Sequence, residues 1–156
     1  MSWSLGLRHG DLYLDRGGLG VVTEANKLVQ DLRCALLEPR GHDRFHPTYG
    51  SLLDGGIDEY GNNAASLIGE SDWEYVATHV RAEISRITSL YQAQQVERSK
   101  NDRMKYGNST LSPQELLFEV GSVSISQAQD SMMVYVTLVT GSGTQIPIEI
   151  PITNKS

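Results

Sequence analysis

Gln145-Ile146-Pro147-Ile148-Glu149-Ile150-Pro151-Ile152 alternates with a period of two. The four isoleucines share one parity and form an apolar face that needs burial; Pro147, Glu149 and Pro151 share the other. Residues of one parity direct their N–H and C=O groups toward the same neighbouring strand. Two prolines remove two donors from one side, so this strand must lie at a sheet edge, paired only through its isoleucine-parity backbone. The prolines also protect that edge against unwanted pairing. An edge strand implies a sheet. Segments 116–126, 132–140 and 145–152 predict three strands, with turns at Gln127–Ser131 and Gly141–Gly143, which is an antiparallel meander. In the first, Phe118 and Val120 share one parity and Val123 and Ile125 the other. An extra residue at Gly121-Ser122 would restore one apolar face, which predicts a β-bulge. The middle strand is apolar on both parities, with Val134, Val136 and Leu138 against Met133, Tyr135 and Val139. That predicts a central, covered position.

Upstream the period becomes 3.6. Ser71 and Glu74 stand three apart, as in a capping box. Trp73, Val76, Val80, Ile84, Ile87 and Tyr91 then mark one face of a helix over 72–96. Residues 97–112 are polar and mixed in charge and read as a surface insertion; Ser112, Pro113 and Glu115 suit a single helical turn. Leu28, Leu32, Ala35 and Leu36 predict an earlier helix over 24–37, capped by Thr23 and ended by Pro39 and Gly41. Residues 11–22 predict two short strands around a turn at Asp15–Gly18. Residues 38–56 predict an irregular but ordered connection, and 58–70 a second surface insertion. The expected fold is α+β in a single domain over 1–156: N-terminal short strands, two main helices and a C-terminal three-stranded antiparallel sheet.

At 156 residues the chain is long enough to bury a core without disulfides or metals. Thirteen Lys and Arg against 19 Asp and Glu give a net charge of −6, which argues against nucleic acid as a partner. The basic residues Arg98, Lys100, Arg103 and Lys105 are diluted by Glu97 and Asp102 and read as a solvated stretch. The longest apolar run, Met132 to Val139, is too short to cross a membrane, and the first residues lack the apolar core of a signal peptide. Cys34, the one cysteine, sits in the first helical pattern and reads as a buried structural thiol suited to a reducing cytoplasm.

Constellations that would carry chemistry are weak. His42-Asp43-Arg44-Phe45-His46 has the spacing of the zinc-protease motif, which requires a helix. Gly41 before it and Pro47 after it argue for a loop, so no metal or cofactor is expected. Asp11, Glu38 and Asp43 are the nearest approach to a glycosidase pair. No nucleophile elbow or phosphate loop occurs, and no catalytic residue is assigned. A binding or structural role is favoured over an enzyme.

One segment is more specific. Leu36-Leu37-Glu38-Pro39-Arg40 leads into Gly41-His42-Asp43-Arg44-Phe45-His46-Pro47-Thr48-Tyr49-Gly50, followed by Leu52-Leu53. This resembles the Gly-x-x-x-Phe-x-Pro-x-Phe/Tyr-Gly loop of the baseplate wedge or sheath-initiator family of contractile phage tails and contractile injection systems. Gly10-Asp11-Leu12 and Gln30-Asp31-Leu32-Arg33 also look like it, and the order of elements agrees over nearly the whole chain. The family often carries Glu-Pro-Arg at the end of the second helix. Here Glu38-Pro39-Arg40 ends the first, and none occurs over Thr88 to Gln95, so that role is not carried over. Physically, Gly41, Arg44, Phe45, Pro47, Tyr49 and Gly50 read as a structural loop: the glycines permit unusual backbone angles, Pro47 stiffens the path, and Phe45 and Tyr49 anchor it on the helices.

The resemblance implies a non-enzymatic virion protein of the tail baseplate, assembled in the host cytoplasm, in six copies around the tail tube. It implies contacts with other wedge and hub proteins and with the tail sheath protein. The C-terminal sheet would template the first sheath ring by β-augmentation. Its partner-binding residues would be Leu117, Phe118, Val120, Val123, Ile125, Val134, Val136, Ile146, Ile148 and Ile150. The prolines direct an added strand to the other edge, along 116–126. The alternatives are an oligomeric baseplate adaptor without sheath contact and a tail-associated cell-wall glycosidase.

Overall fold

The computed structural model describes residues 3–8 and 11–153. Met1, Ser2 and Gly10, which enter the readings of the N-terminus and of the upstream motif, lie outside them. Along the chain come β1 (Trp3–Leu5), β2 (Leu7–Arg8), β3 (Asp11–Leu12), β4 (Leu14–Asp15), β5 (Gly18–Leu19), β6 (Val21–Thr23) and α1 (Glu24–Leu37). There follow β7 (Pro39–Arg40), β8 (Ser51–Gly56), α2 (Trp73–Tyr106), β9 (Leu117–Gln127), β10 (Ser131–Thr140) and β11 (Gln145–Thr153). The α+β fold, with short N-terminal strands, two helices and a C-terminal three-stranded antiparallel sheet, is as the sequence predicts.

The sheet has the order β11-β10-β9. Its inward residues are Met132, Val134, Val136, Leu138 and Thr140 on β10, facing Ile148, Ile150 and Ile152 on β11. With Leu28, Leu32 and Leu36 of α1 and Val76, Val80, Ile84 and Ile87 of α2, they form the core. Helices cover one face only. Tyr135 is exposed on the other, so the expectation of a middle strand covered on both faces is corrected.

The bulge forms as predicted. Thr137 pairs with Ser122 and Leu138 with Val120, so Gly121 is the extra residue. A second bulge was not foreseen. Val139 pairs with Glu119 and Thr140 with Leu117, leaving Phe118 as the extra residue. Two insertions keep Leu117, Val120, Val123 and Ile125 opposite the inward residues of β10. Phe118 is thereby turned out, 65% exposed, and does not share a face with Val120.

Helix α1 has the predicted bounds, but Thr23 occupies its cap position without a side-chain capping bond. Helix α2 differs in both ends. Asp72 is its cap, accepting from the Tyr75 N–H at 3.1 Å, whereas the Ser71 N–H donates to Glu70. The Ser71–Glu74 box therefore does not form, and Trp73 is 47% exposed rather than on the buried face. The helix continues ten residues past the expected end, to Tyr106, where Gly107 at φ 83 stops it. Glu97 to Tyr106 contains neither Gly nor Pro, so its polarity marks exposure, not a loop. The residues beyond it fold back because Asp102 accepts from both the N–H and the hydroxyl of Thr110.

The connection over 38–56 is ordered, but it is not irregular throughout: it contains a short parallel pair, β7 with β8. Residues 58–70 are more than a surface insertion. Leu67 is buried and donates its N–H to the Leu53 carbonyl at 3.1 Å, which pins the segment to the core.

Candidate functional site

Helix α1 holds the molecule together through four consecutive residues. Gln30 accepts from the Leu7 N–H and donates to the Leu5 carbonyl, both at 2.8 Å, so it ties the N-terminal strands to the helix. Asp31 pairs with Lys27 and accepts from the Tyr91 hydroxyl of α2 at 2.9 Å. Burial, reinforced by Asp31, pushes the Tyr91 phenol well above its usual range, so the hydroxyl stays a donor. Leu32 is buried in the core. Arg33 donates to the Glu149 carbonyl of β11 at 3.2 Å. These roles were not legible beforehand, because each partner lies at least 25 residues away except Lys27 and the Leu7 N–H.

The loop over 41–50 is clamped at its base. The Ser51 N–H donates to the Glu38 carbonyl at 2.7 Å and the Ile57 N–H to the Arg40 carbonyl at 2.8 Å. Gly41 and Gly50 have φ of 79° and 97°, and a side chain at Gly50 would collide with the Glu38 carbonyl. Inside the loop Asp43 accepts from the Phe45 N–H and pairs with His46, which lowers its carboxyl below the usual range. His42 pairs separately with Glu38 at 2.9 Å. The segment is a run of turns, so the two histidines do not share a helix face. Arg44 and Pro47 are exposed.

Phe45 is 85% exposed, which overturns its expected role as an anchor. Tyr49 is also exposed, at 40%, so neither ring is the buried anchor expected. The Tyr49 ring and Cys34 line a cavity of about 350 Å³ with Ala35, Ile87 and Leu90. Burial pushes the Tyr49 phenol up to about 12. Burial, followed by Asp31, also raises the Cys34 thiol, which is half-buried rather than buried. At neutral pH it is held as the unreactive thiol.

On the sheet, Leu117, Val134, Val136, Ile148 and Ile150 are buried, and Val120, Val123, Ile125 and Ile146 are partly so. Of the ten predicted partner-binding side chains, only Phe118 is openly exposed. The other nine turn toward the protein interior, so the outer surface of this sheet carries few of the apolar side chains expected to bind a partner.

The two edges differ. On β11, Pro147 and Pro151 stand opposite Thr137 and Met133. They lack N–H groups, so the ladder to β10 must run through the isoleucine parity, and the other parity points outward. The Arg33 bond to the Glu149 carbonyl occupies that outward side. On β9 the same alternation sends Ser122, Ser124 and Ser126 toward β10 and leaves the N–H and C=O groups of Val123 and Ile125 outward. Helix α2 fills only the start of this edge. Gln92 donates to the carbonyls of Leu117 and Phe118, and Gln95 accepts from the Leu117 N–H at 2.9 Å. A groove of about 350 Å³ runs between α2 and the first half of β9, lined by Arg81, Ser85, Thr88 and Val123; Ile125 lies beyond it, beside Gly69, Glu70 and Trp73, and the Gln127 side chain at the end of β9 donates to the Glu70 carbonyl at 3.2 Å.

Among the described residues no group of three or more His, Cys, Asp or Glu is arranged to hold a metal ion. No helix among them is long and apolar enough to cross a membrane. Compared with protein-family models, with curated proteins and with solved structures, the chain matches none of them.

Proposed function

We propose that this chain is a structural baseplate protein of a contractile tail that nucleates sheath assembly by pairing a strand of the first sheath ring onto its sheet. The observation that carries this reading is the asymmetry of the sheet. Its β11 edge is closed by two prolines and Arg33, while β9 keeps outward backbone groups at Val123, beside a groove, and at Ile125. One open edge fixes both the number and the direction of added strands, which suits a template. The loop and helix segments that resemble the baseplate wedge family support the same placement. In this reading six copies surround the tail tube, contacting wedge and hub proteins, with the sheath protein as the strand donor.

The direct test is electron microscopy of particles assembled without this chain. Naked tubes, or tails with loose and unpolymerised sheath, are expected; normal contractile tails defeat the proposal. A finer test replaces Val123 with proline. This removes an outward donor and no ladder bond, so sheath recruitment should fall at least tenfold while folding survives. Pro147→Val, on the closed edge, should leave recruitment unchanged.

A further inference from the structure

Helix α2 presents an outward face that nothing among the described residues covers. Thr78, Ala82, Ser85, Ser89, Ala93 and Val96 are all exposed and recur at three- and four-residue spacing. This stripe carries no charge over more than five turns, whereas the solvent face of a surface helix is normally charged. It continues at one end into Tyr75, 46% exposed, and at the other into Lys100, Arg103 and Met104, the last 80% exposed.

The ends of the helix carry opposite charge. Residues 54–74, which lead into it, hold six carboxylates and no Lys, Arg or His. Residues 97–106, which end it, hold four cations and two carboxylates, and Asp102 is engaged with Thr110. The whole chain is net negative, so this basic arm is exceptional. None of its residues is buried. Its three turns therefore owe nothing to a core, and isolated helices of that length are marginal.

We propose that α2 packs antiparallel against α2 of a second copy of this chain, on a two-fold axis at Ser89. The stripe is symmetric about that residue. Antiparallel pairing through it places Ser85 opposite Ala93, Ala82 opposite Val96, Thr78 opposite Lys100 and Tyr75 opposite Arg103, each contact occurring twice. Small residues at the centre let the two backbones approach closely. At each end an Arg103 guanidinium meets the Tyr75 ring and the Glu74 carboxylate. The Tyr75 ring is already held in place by His79, with centroids 3.9 Å apart. The acidic end of one helix lies along the basic end of the other over a rod of roughly 50 Å, and the two helix dipoles oppose. A parallel pair would set like charges together, so charge selects the antiparallel, isologous arrangement. The proposal uses the backbone of neither sheet edge, and of the stripe residues Ser85 alone also lines the groove beside β9.

The test measures the mass of the full chain in solution across a concentration series. A dimer is expected, weakened by added salt. Arg103→Glu should weaken it at least tenfold, and adding Glu74→Arg should recover most of the loss. Ser89→Cys should give a disulfide-linked dimer on mild oxidation, while the unaltered chain, with Cys34 half-buried, should not. A monomer at every concentration overturns the proposal and leaves the face to a different protein. A dimer that ignores the charge swap and does not link through residue 89 overturns it equally.

Discussion

Glu83 shows how a single side chain can fasten two parts of this fold. Its carboxylate accepts from the Arg86 guanidinium at 2.9 and 3.1 Å and from the Leu52 N–H at 2.9 Å, while Arg86 donates onward to the Gly50 carbonyl at 2.7 Å. The clamp fixes the end of the 41–50 loop to α2. Burial pushes Glu83 up, but the Arg86 and Leu52 bonds outweigh it and hold the carboxyl below its ordinary value. A carboxyl depressed by folding contributes stability that is present above its unfolded value, about 4.3, and is lost as the pH falls through the folded value. Glu83→Gln should therefore cost about 2 kcal/mol at pH 7. Denaturant titrations should show that difference shrinking below pH 4, and a difference constant with pH would contradict the clamp. Phe45 makes the opposite case on the same loop. It is one of the two aromatic residues of the loop, yet its ring is in solvent, so Phe45→Ala should change stability by less than about 0.5 kcal/mol in the same titration. Its presence there has no explanation in the packing.

At the scale of elements, β9 is the informative strand. Its sequence breaks parity, and its register answers with two extra residues, Gly121 and Phe118. Deleting Gly121 removes one insertion and reverses the facing of everything before it, so Leu117 and Val120 would leave the core. A loss of about 2–5 kcal/mol is expected, the size of a large core truncation. A deletion variant within 1 kcal/mol of the parent, by denaturant midpoint, would show that the register slips to compensate. Helix α2 teaches a different lesson. Its first two-thirds have an apolar stripe, and its last third has none, yet the helix does not stop where the stripe does. Periodicity reports which turns are buried; helix propensity and a glycine stop report where the turns end.

For the whole molecule, stability should be unevenly spread. Strand β10 is paired on both sides, and its alternate residues fill the core. The N-terminal strands are two or three residues long, pair in twos, and expose Leu12, Leu14, Leu19 and Val21. Amide hydrogen exchange should be slowest in β10 and fastest over the described residues of β1 to β5, with α1 intermediate because Gln30 and Arg33 tether it to both ends. Uniform protection would mean that the N-terminal strands and the sheet unfold as one unit. The same architecture separates side chains from backbone: the sheet buries its apolar side chains, while the outward backbone groups of Val123 and Ile125 carry no ladder bond.

The sequence by itself determined what depends on local pattern. The isoleucine–proline alternation placed β11 at an edge, Gly121 marked a bulge, and helical spacing bounded α1, because side-chain direction and proline chemistry are properties of the chain at that point. Tertiary structure alone decided what depends on neighbours far along the chain. Which edge keeps backbone groups without a partner among the described residues was settled by Arg33 reaching β11 and by Gln92, Gln95 and Gln127 meeting their partners only at the two ends of β9. That Phe45 and Phe118 face solvent was settled by a loop clamped at its base and by a second bulge. Both outcomes turn on contacts between residues distant in sequence, where composition and period carry no information.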